Sequence, residues 1–155
     1  PKKELGTLLY AGSNDYQGLP ACPPVSGISN CLDVSGNELA HAPDAALHVV
    51  YEHDFELSNG ALLTPRISAH FETESWLSPF NLGEGDRQKG YHRSDLSLRY
   101  APASGAWYAD VYVDNVEDGK VRTNAGRTAV GNGQFVYLSQ YLPPRTVGLN
   151  VGFWF

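Results

Sequence analysis

The last fifteen residues of the chain, Tyr141 to Phe155, constrain its fold more than any other segment. Apolar side chains alternate there with small or polar ones, and the apolar set is Val147, Leu149, Val151, Phe153 and Phe155. A period of two residues predicts a β-strand, because successive side chains of a strand point to opposite faces. A tilted strand of about 9–11 residues can cross the hydrocarbon of a bilayer. This segment is therefore either a membrane-spanning strand or the last strand of a soluble β-sandwich.

The composition of the chain limits its possible partners. Its 155 residues include 11 basic and 17 acidic side chains, which give a net charge of −6 and argue against a nucleic acid as partner. There is no methionine, so we expect Pro1 to be a processed or truncated end. No apolar run approaches 18 residues, and the sequence therefore predicts no transmembrane helix.

The two cysteines, Cys22 and Cys31, lie close together in a segment rich in glycine, proline and asparagine. This spacing in a turn-rich segment predicts a disulfide and hence an oxidising compartment. A zinc site is the alternative, but it requires more ligands than lie nearby.

Alternation of the same kind recurs upstream of the final strand. It predicts strands over Ala45–Leu57, Ala61–Thr73, Arg93–Ala101 and Ala106–Val116, and more weakly over Lys3–Gly12. Short turns at Ser58–Gly60 and Pro102–Gly105 separate two of these pairs, and long irregular segments are expected at 13–44, 75–92 and 117–140. The sequence thus predicts an all-β fold, an antiparallel up-and-down meander of about six strands, with short turns on one side and long loops on the other.

Aromatic residues are expected at one level of this meander. Near the edge that carries the short turns, the side chains predicted to face lipid are Phe55, Tyr100, Trp107, Phe153 and Phe155. Such a row is typical of the interfacial girdle of an outer-membrane barrel. The charged side chains are predicted on the opposite, lumenal face, and they include Glu52, Asp54, Arg66, Arg99 and Asp110.

Four segments resemble one family, the TonB-dependent outer-membrane receptors. They are Ser35–Pro43 (SGNELAHAP), Trp76–Asn81 (WLSPFN), Val113–Asp118 (VDNVED) and Leu142–Thr146 (LPPRT). In that family they correspond to a segment before a strand, an aromatic-rich loop, the end of the penultimate strand and the closing segment.

The resemblance implies a 22-stranded transmembrane β-barrel in the bacterial outer membrane, filled by an N-terminal plug. Receptors of this family import scarce ligands, such as siderophore-bound iron, cobalamin or glycans, with energy from TonB. Residues 1–155 would be a C-terminal segment of the barrel, without the plug and the earlier strands. The implied partners are outer-membrane lipid, the rest of the receptor, the TonB complex through the absent N-terminal part, and the imported ligand. A soluble or surface β-sandwich binding module and a small structural outer-membrane barrel remain as alternatives.

No catalytic residue, cofactor or metal site is predicted, and we expect a transporter and not an enzyme. Glu72 and Glu74 resemble paired carboxylates, but the sequence offers no opposing partner or substrate pocket. The Asp114–Gly119 segment fails the calcium-loop pattern, because Val116 and Ala125 stand where ligands are needed. The five histidines are interpreted as scattered polar lining: His41, His48, His53, His70 and His92.

Ligand contact is expected from the loops and the upper lumen. The candidate binding residues are Trp76, Phe80, Tyr91 and Arg93, because aromatic and arginine side chains at a loop mouth often act as anchors. The alternative is that the loop aromatics pack on one another.

Overall fold

A computed structural model of the chain describes residues 9–11, 31–132 and 134–154. These residues form twelve β-strands, one 3₁₀ helix at Glu84–Asp86 and no α-helix. In chain order the strands are β1 (Leu9–Ala11), β2 (Cys31–Asp33), β3 (Ala46–Glu52), β4 (Phe55–Glu56), β5 (Leu62–Glu72), β6 (Ser75–Trp76), β7 (Arg87–Gln88), β8 (Tyr91–Ala101), β9 (Trp107–Asp114), β10 (Arg122–Gly131), β11 (Gln134–Tyr141) and β12 (Thr146–Phe153). In the described part of the chain no helix has the length and apolar character needed to cross a membrane.

The chain divides into two compact units. The sheet unit comprises residues 45–72, 90–120 and 142–155, and the loop unit comprises residues 1–44, 73–89 and 121–141. In the sheet unit the strands lie in the order β12-β9-β8-β5-β3, every neighbouring pair is antiparallel, and β4 also pairs with β5. Spatial order follows chain order, so the predicted antiparallel up-and-down meander is confirmed.

The register of the sheet separates its side chains into an apolar face and a polar face. Val111 lies opposite Leu98 on β8 and opposite Leu149 on β12, while Leu96 lies opposite Ile67 on β5. All five of these apolar side chains are at least 41% exposed. On the other face, Arg66 lies between Glu52 and Ser97, which places charge beside charge or hydroxyl. The period-two pattern therefore sorts the side chains as the sequence predicts.

Both predicted short turns are present. In the first, the N–H of Gly60 donates to the carbonyl of Leu57 at 2.8 Å, and Gly60 has φ 76°. In the second, the N–H of Gly105 donates to the carbonyl of Pro102 at 2.9 Å, and Gly105 has φ 65°. Positive φ is inexpensive only for glycine, which explains its place in each turn.

The strand predicted over Ala45–Leu57 is interrupted at His53 and Asp54. Pro65 on β5 faces this break, and it has no N–H to donate to the ladder. The carbonyl of Pro65 still accepts a 3.3 Å hydrogen bond from the N–H of His53. Beyond the break, β4 resumes pairing in the same register, with Phe55 opposite Leu63.

The three segments predicted to be irregular contain strands, and the prediction was wrong for each. The 117–140 segment contains most of a hairpin, β10 with β11. The 75–92 segment contains the β6–β7 pair, the 3₁₀ helix and the start of β8. The 13–44 segment contains β2, which pairs with β1, and an isolated bridge between Ala40 and Trp76. Of the strand predicted over Lys3–Gly12, only Leu9–Ala11 lies within the described residues.

The loop unit has a small buried interior. Its buried apolar side chains are Val34, Leu77, Phe80, Val121 and Ala125. They come from segments far apart in sequence, so tertiary packing holds the short β6–β7 pair of this unit, whereas β10 and β11 form a longer ladder of their own.

Candidate functional site

Two of the predicted binding residues, Tyr91 and Arg93, lie on the polar face of the sheet at the end of β8 that is remote from the short turns. Both are residues of the strand, and Tyr91 was expected in a loop. The Tyr91 hydroxyl donates to Oε2 of Glu72 at 3.0 Å. The Arg93 side chain is 17% exposed, and its Nε lies 3.4 Å from Oδ1 of Asp95. Each side chain is thus oriented by a carboxylate.

Histidine adjoins this pair of residues. Nε2 of His70 lies 3.0 Å from Oε2 of Glu72, the oxygen that also accepts the Tyr91 hydroxyl. The His70 ring lies 5.7 Å from the Tyr91 ring and 6.1 Å from the ring of His48, measured between centroids. The structure therefore gathers aromatic, acidic and basic groups from three adjacent strands.

The middle of the polar face contains two clefts of 470 Å³ each, which share Arg66, Ser97 and Asp110. Carboxylates and guanidinium groups dominate both linings. Arg66 donates to Oε2 of Glu52 at 3.3 Å, and Asp95 accepts from the hydroxyl of Ser68 at 3.3 Å. Small-molecule pockets are usually lined mainly by apolar groups. These clefts are chemically suited to water, ions or another polar protein surface.

Asp110 contributes to both clefts. Its Oδ1 is buried and has no hydrogen-bond partner among the described residues. Arg99 lies opposite Asp110 in the register, but its guanidinium carbon stacks 3.9 Å from the ring centroid of Tyr108. The arginine is thereby directed toward the tyrosine ring.

The other two predicted binding residues, Trp76 and Phe80, belong to the loop unit. Phe80 is only 7% exposed and forms part of the buried interior. Trp76 on β6 has the guanidinium carbon of Arg87 over its ring, 5.6 Å from the centroid. Arg87 also pairs with Glu74. Ligand contact by Trp76 and Phe80 remains a prediction, as it does for Tyr91 and Arg93.

A buried carboxylate and an arginine organise the loop unit, and neither was predicted from the sequence. Asp86 is 2% exposed and accepts hydrogen bonds from the Ser78 hydroxyl and, at 3.1 Å, from the N–H of Leu82. Burial raises the pKa of the Asp86 carboxyl, against the opposing effect of these hydrogen bonds and of the Arg122 guanidinium. The hydrogen bonds of Asp86 are local, to residues 8 and 4 positions away, whereas those of Arg122 join segments more than 30 residues apart.

Arg122 joins the β10–β11 hairpin to the 3₁₀ helix. Its guanidinium donates to the carbonyls of Gly85 at 2.9 Å and Glu84 at 3.1 Å, and also to that of Arg87. The Tyr137 hydroxyl adds a 3.0 Å bond to the carbonyl of Leu82. A planar fork of donors fits several carbonyls at once.

The segments that carry the family resemblance contact one another in pairs. Within the sheet unit, Asn115 donates to the carbonyls of Gly119 at 3.1 Å and Pro143 at 3.2 Å, and Asp118 accepts the N–H of Arg145 at 3.0 Å. Asn115 is 1% exposed and has φ 55°, a conformation that asparagine tolerates better than most residues.

Within the loop unit, the Ser35–Pro43 and Trp76–Asn81 segments contact each other in the same way. The amide of Asn37 donates to the carbonyl of Pro79 at 2.9 Å, and the N–H of Glu38 donates to Asn81 at 2.8 Å. Residues of all four segments therefore participate in structural contacts.

The predicted aromatic girdle forms a cluster at the end of the sheet that carries the short turns. The rings of Tyr100 and Trp107 lie 5.6 Å apart, and Trp107 is opposite Phe153 in the register. Phe55 and Phe153 are 48% and 61% exposed. Phe155 lies outside the described residues, and contact of this cluster with lipid remains a prediction. The predicted Cys22–Cys31 disulfide also lies outside them, because Cys22 and the Cys31 side chain are not described.

Comparison with known proteins identifies one solved structure with a similar fold. No family model matches the sequence, and no curated protein matches it significantly. Among solved structures, the chain is similar to the crystal structure of the ferric yersiniabactin uptake receptor FyuA from Yersinia pestis, with a TM-score of 0.65 and 24% sequence identity. The match covers 76% of this chain and 17% of the FyuA chain, so this chain corresponds to less than a fifth of that protein. At this level of identity the likeness establishes the fold alone, an antiparallel β-sheet similar to a segment of the FyuA structure.

Proposed function

We propose that the chain is part of the β-barrel of a TonB-dependent receptor in the bacterial outer membrane, and that this receptor imports a scarce ligand. The observation that carries the proposal is the continuous apolar face of the sheet unit. Val147, Leu149 and Val151 on β12 are 68%, 62% and 50% exposed, and β9, β8, β5 and β3 continue the same surface. Soluble monomers rarely expose apolar patches larger than a few hundred Å².

Strand length agrees with a membrane location. β5 and β8 each have 11 residues, the length that a tilted strand needs to cross the hydrocarbon. Every backbone polar group within hydrocarbon must be hydrogen-bonded, which a continuous antiparallel ladder achieves. The proposal assigns the exposed apolar face to lipid and the aromatic cluster around Trp107 to the interface.

The polar face is assigned to the lumen. Its clefts are lined by charged and hydroxyl side chains, as expected where water or a polar plug fills the interior. Tyr91 and Arg93 lie at the end of this face remote from the short turns, and they are the proposed ligand anchors on the sheet. Trp76 is the corresponding candidate on the loop unit.

The role as importer is supported by the fold of FyuA, which is an uptake receptor for ferric yersiniabactin. By analogy, the ligand proposed for this protein belongs to the siderophore–iron, cobalamin or glycan class. Residues 1–155 are assigned to the C-terminal segment of the barrel. The plug, the remaining strands and the contact with the TonB complex then belong to the rest of the receptor. The proposed activity is transport and not catalysis.

The first test locates and sizes the native protein. Cells are fractionated and blotted with an antibody against residues 75–92. The proposal expects an outer-membrane band several times larger than the 16.9 kDa of this chain. A soluble band of 16.9 kDa would contradict the membrane location and favour a β-sandwich binding module. A 16.9 kDa band in the outer membrane would contradict the assignment to a larger barrel and favour a small one.

The second test measures import. A strain that lacks the gene is supplied with iron–siderophore complexes, cobalamin or oligosaccharides, and accumulation of each is compared with the parent strain. Loss of accumulation of one ligand, matched by an equal loss in a TonB-deficient strain, is the expected result. Unchanged accumulation of all three classes would argue against the proposed function.

A further inference from the structure

Two histidines face each other across adjacent strands on the polar face. His48 on β3 and His70 on β5 are directly opposed in the register. Their ring centroids are 6.1 Å apart, with an angle of 66° between the ring planes. Directly opposed residues on one face have Cβ atoms about 4.5–5.5 Å apart. The register therefore places the two imidazoles side by side on the polar face.

A carboxylate fixes the orientation of one of these rings. Oε2 of Glu72 lies 3.0 Å from Nε2 of His70 and accepts a second hydrogen bond, also 3.0 Å, from the Tyr91 hydroxyl. An ionised carboxylate can only accept hydrogen bonds, so Nε2 of His70 carries the hydrogen. In the neutral imidazole, Nδ1 of His70 then keeps its lone pair. Histidines that bind metals are oriented in this way by an acceptor on the other ring nitrogen.

We propose that His48 and His70 together bind a divalent transition-metal ion of the copper–zinc class. Nδ1 of His70 and a ring nitrogen of His48 are the ligands, Glu72 holds the His70 ring, and water completes the coordination. Imidazole nitrogens suit these ions. With metal–nitrogen bonds near 2.0–2.1 Å, two imidazoles on one ion have ring centroids roughly 4.5–6.5 Å apart, a range that includes the observed spacing.

The groups around His48 and His70 determine how many protein ligands the metal ion would have. No group of three histidine, cysteine, aspartate or glutamate side chains within residues 9–11, 31–132 and 134–154 is arranged to hold a metal. The site is thus a two-imidazole site, for which Cu²⁺ is expected to bind more tightly than Zn²⁺. Arg93 lies opposite His70 on β8, but its Nε is 3.4 Å from Oδ1 of Asp95, which offsets its charge. The bound ion would also link β3 to β5.

The experiment uses the full-length protein in detergent, stripped of metal and titrated with Cu²⁺. Isothermal titration gives affinity and stoichiometry, and electron paramagnetic resonance counts the coordinated imidazoles. We expect one ion per protein at this site with two imidazole nitrogens. His48→Gln and His70→Gln should each weaken binding by more than about tenfold, and Glu72→Gln by about tenfold.

His92→Ala is the matched control. His92 lies on the apolar face, where its ring stacks 6.0 Å from the Phe71 ring, and its removal should leave Cu²⁺ affinity unchanged. Unchanged binding in either His48→Gln or His70→Gln would overturn the proposal. If the variants do not fold, the spectrum of the unaltered protein decides, since coordination by fewer than two imidazoles also overturns it. The result does not depend on the imported ligand or on TonB.

Discussion

The sheet unit and the loop unit are stabilised in different ways. In the sheet unit, long ladders join the strands while large apolar side chains such as Leu149 remain exposed. In the loop unit, apolar side chains such as Phe80 are buried, although Leu138 on β11 is 65% exposed, and Arg122 bonds directly to backbone carbonyls. The buried interior of the loop unit follows the usual pattern of a protein in water. The sheet unit reverses this pattern on one face, as a protein surrounded by hydrocarbon does.

The exposed fraction of a side chain does not by itself show whether a face of the sheet contacts water or lipid. Val151 on the apolar face and Val50 on the polar face are 50% and 45% exposed, almost the same fraction. If both faces contact water, the two positions should tolerate the same substitutions. If the faces contact lipid and lumen, they should not.

The substitution with the largest expected effect tests whether the apolar face contacts lipid. Val151→Arg should make folding into lipid less favourable by about 2–4 kcal/mol if the residue lies near the bilayer midplane, because a guanidinium is excluded from hydrocarbon. Val50→Arg, on the polar face, should change the free energy of folding by less than about 0.5 kcal/mol. Folding into lipid vesicles with a urea titration measures both. Equal effects at the two positions would remove the argument for a lipid-facing surface.

The second-largest expected effect is a loss of stability in the loop unit. Arg122→Ala should cost about 2–3 kcal/mol of local stability, because charged donors contribute roughly 1.5–3 kcal/mol and three carbonyls lose their partner. Arg122→Lys should recover little, since one ammonium cannot reproduce the fork. Hydrogen exchange should accelerate in residues 84–88 and not in β5 or β8, whereas Lys120→Ala should change neither region. Equal acceleration in the sheet would contradict the separation of the two units.

The sequence was informative where one face of a strand is apolar. Alternation found β5, β8, β9 and β12 because their ladders sort side chains with period two. It missed β10, whose sequence RTNAGRTAVG has no apolar alternation, although the adjacent Asn132-Gly133 is a hairpin signal and Asn132 has φ 50°.

The candidate site was only partly predictable from the sequence. A hairpin centred on the Asn59–Gly60 turn already pairs His48 with His70, so that juxtaposition could have been derived from the sequence. Asp86 and Arg122 could not be identified in this way. The contacts of Arg122 join segments that are more than 30 residues apart, and the burial of Asp86 depends on tertiary packing.

A smaller effect on stability is expected when one glycine in each unit is replaced by alanine. Gly148 lies opposite Tyr112, and a Cβ added at Gly148 would overlap the tyrosine ring, whereas a Cβ at Gly126 on β10 would meet no atom within 4 Å. Gly148→Ala should therefore cost about 1–2 kcal/mol, since the ring must move. Gly126→Ala should be neutral or stabilising by up to about 1 kcal/mol. Adding Tyr112→Ala should abolish the cost of Gly148→Ala in a double-mutant cycle, and strict additivity would show that the ring is not the cause.

The smallest effect is a pH dependence of opposite sign in the two units. Burial raises the pKa of Asp86, so the native state binds its proton more tightly. The resulting stability is present below the ordinary aspartate pKa of about 3.9 and is lost as pH rises through the raised value.

For Glu117 in the sheet unit, burial also acts to raise the pKa, but hydrogen bonds from Ser94, including one of 2.8 Å from its N–H, outweigh burial and lower the pKa. Its contribution is present above the ordinary glutamate pKa of about 4.3 and is lost as pH falls through the lowered value. Thermal unfolding between pH 3 and pH 7 should therefore show Asp86→Asn gaining stability over the unaltered protein as pH rises, and Glu117→Gln losing it. Parallel curves for the two variants would contradict the opposite environments, because only the unaltered protein titrates at these positions.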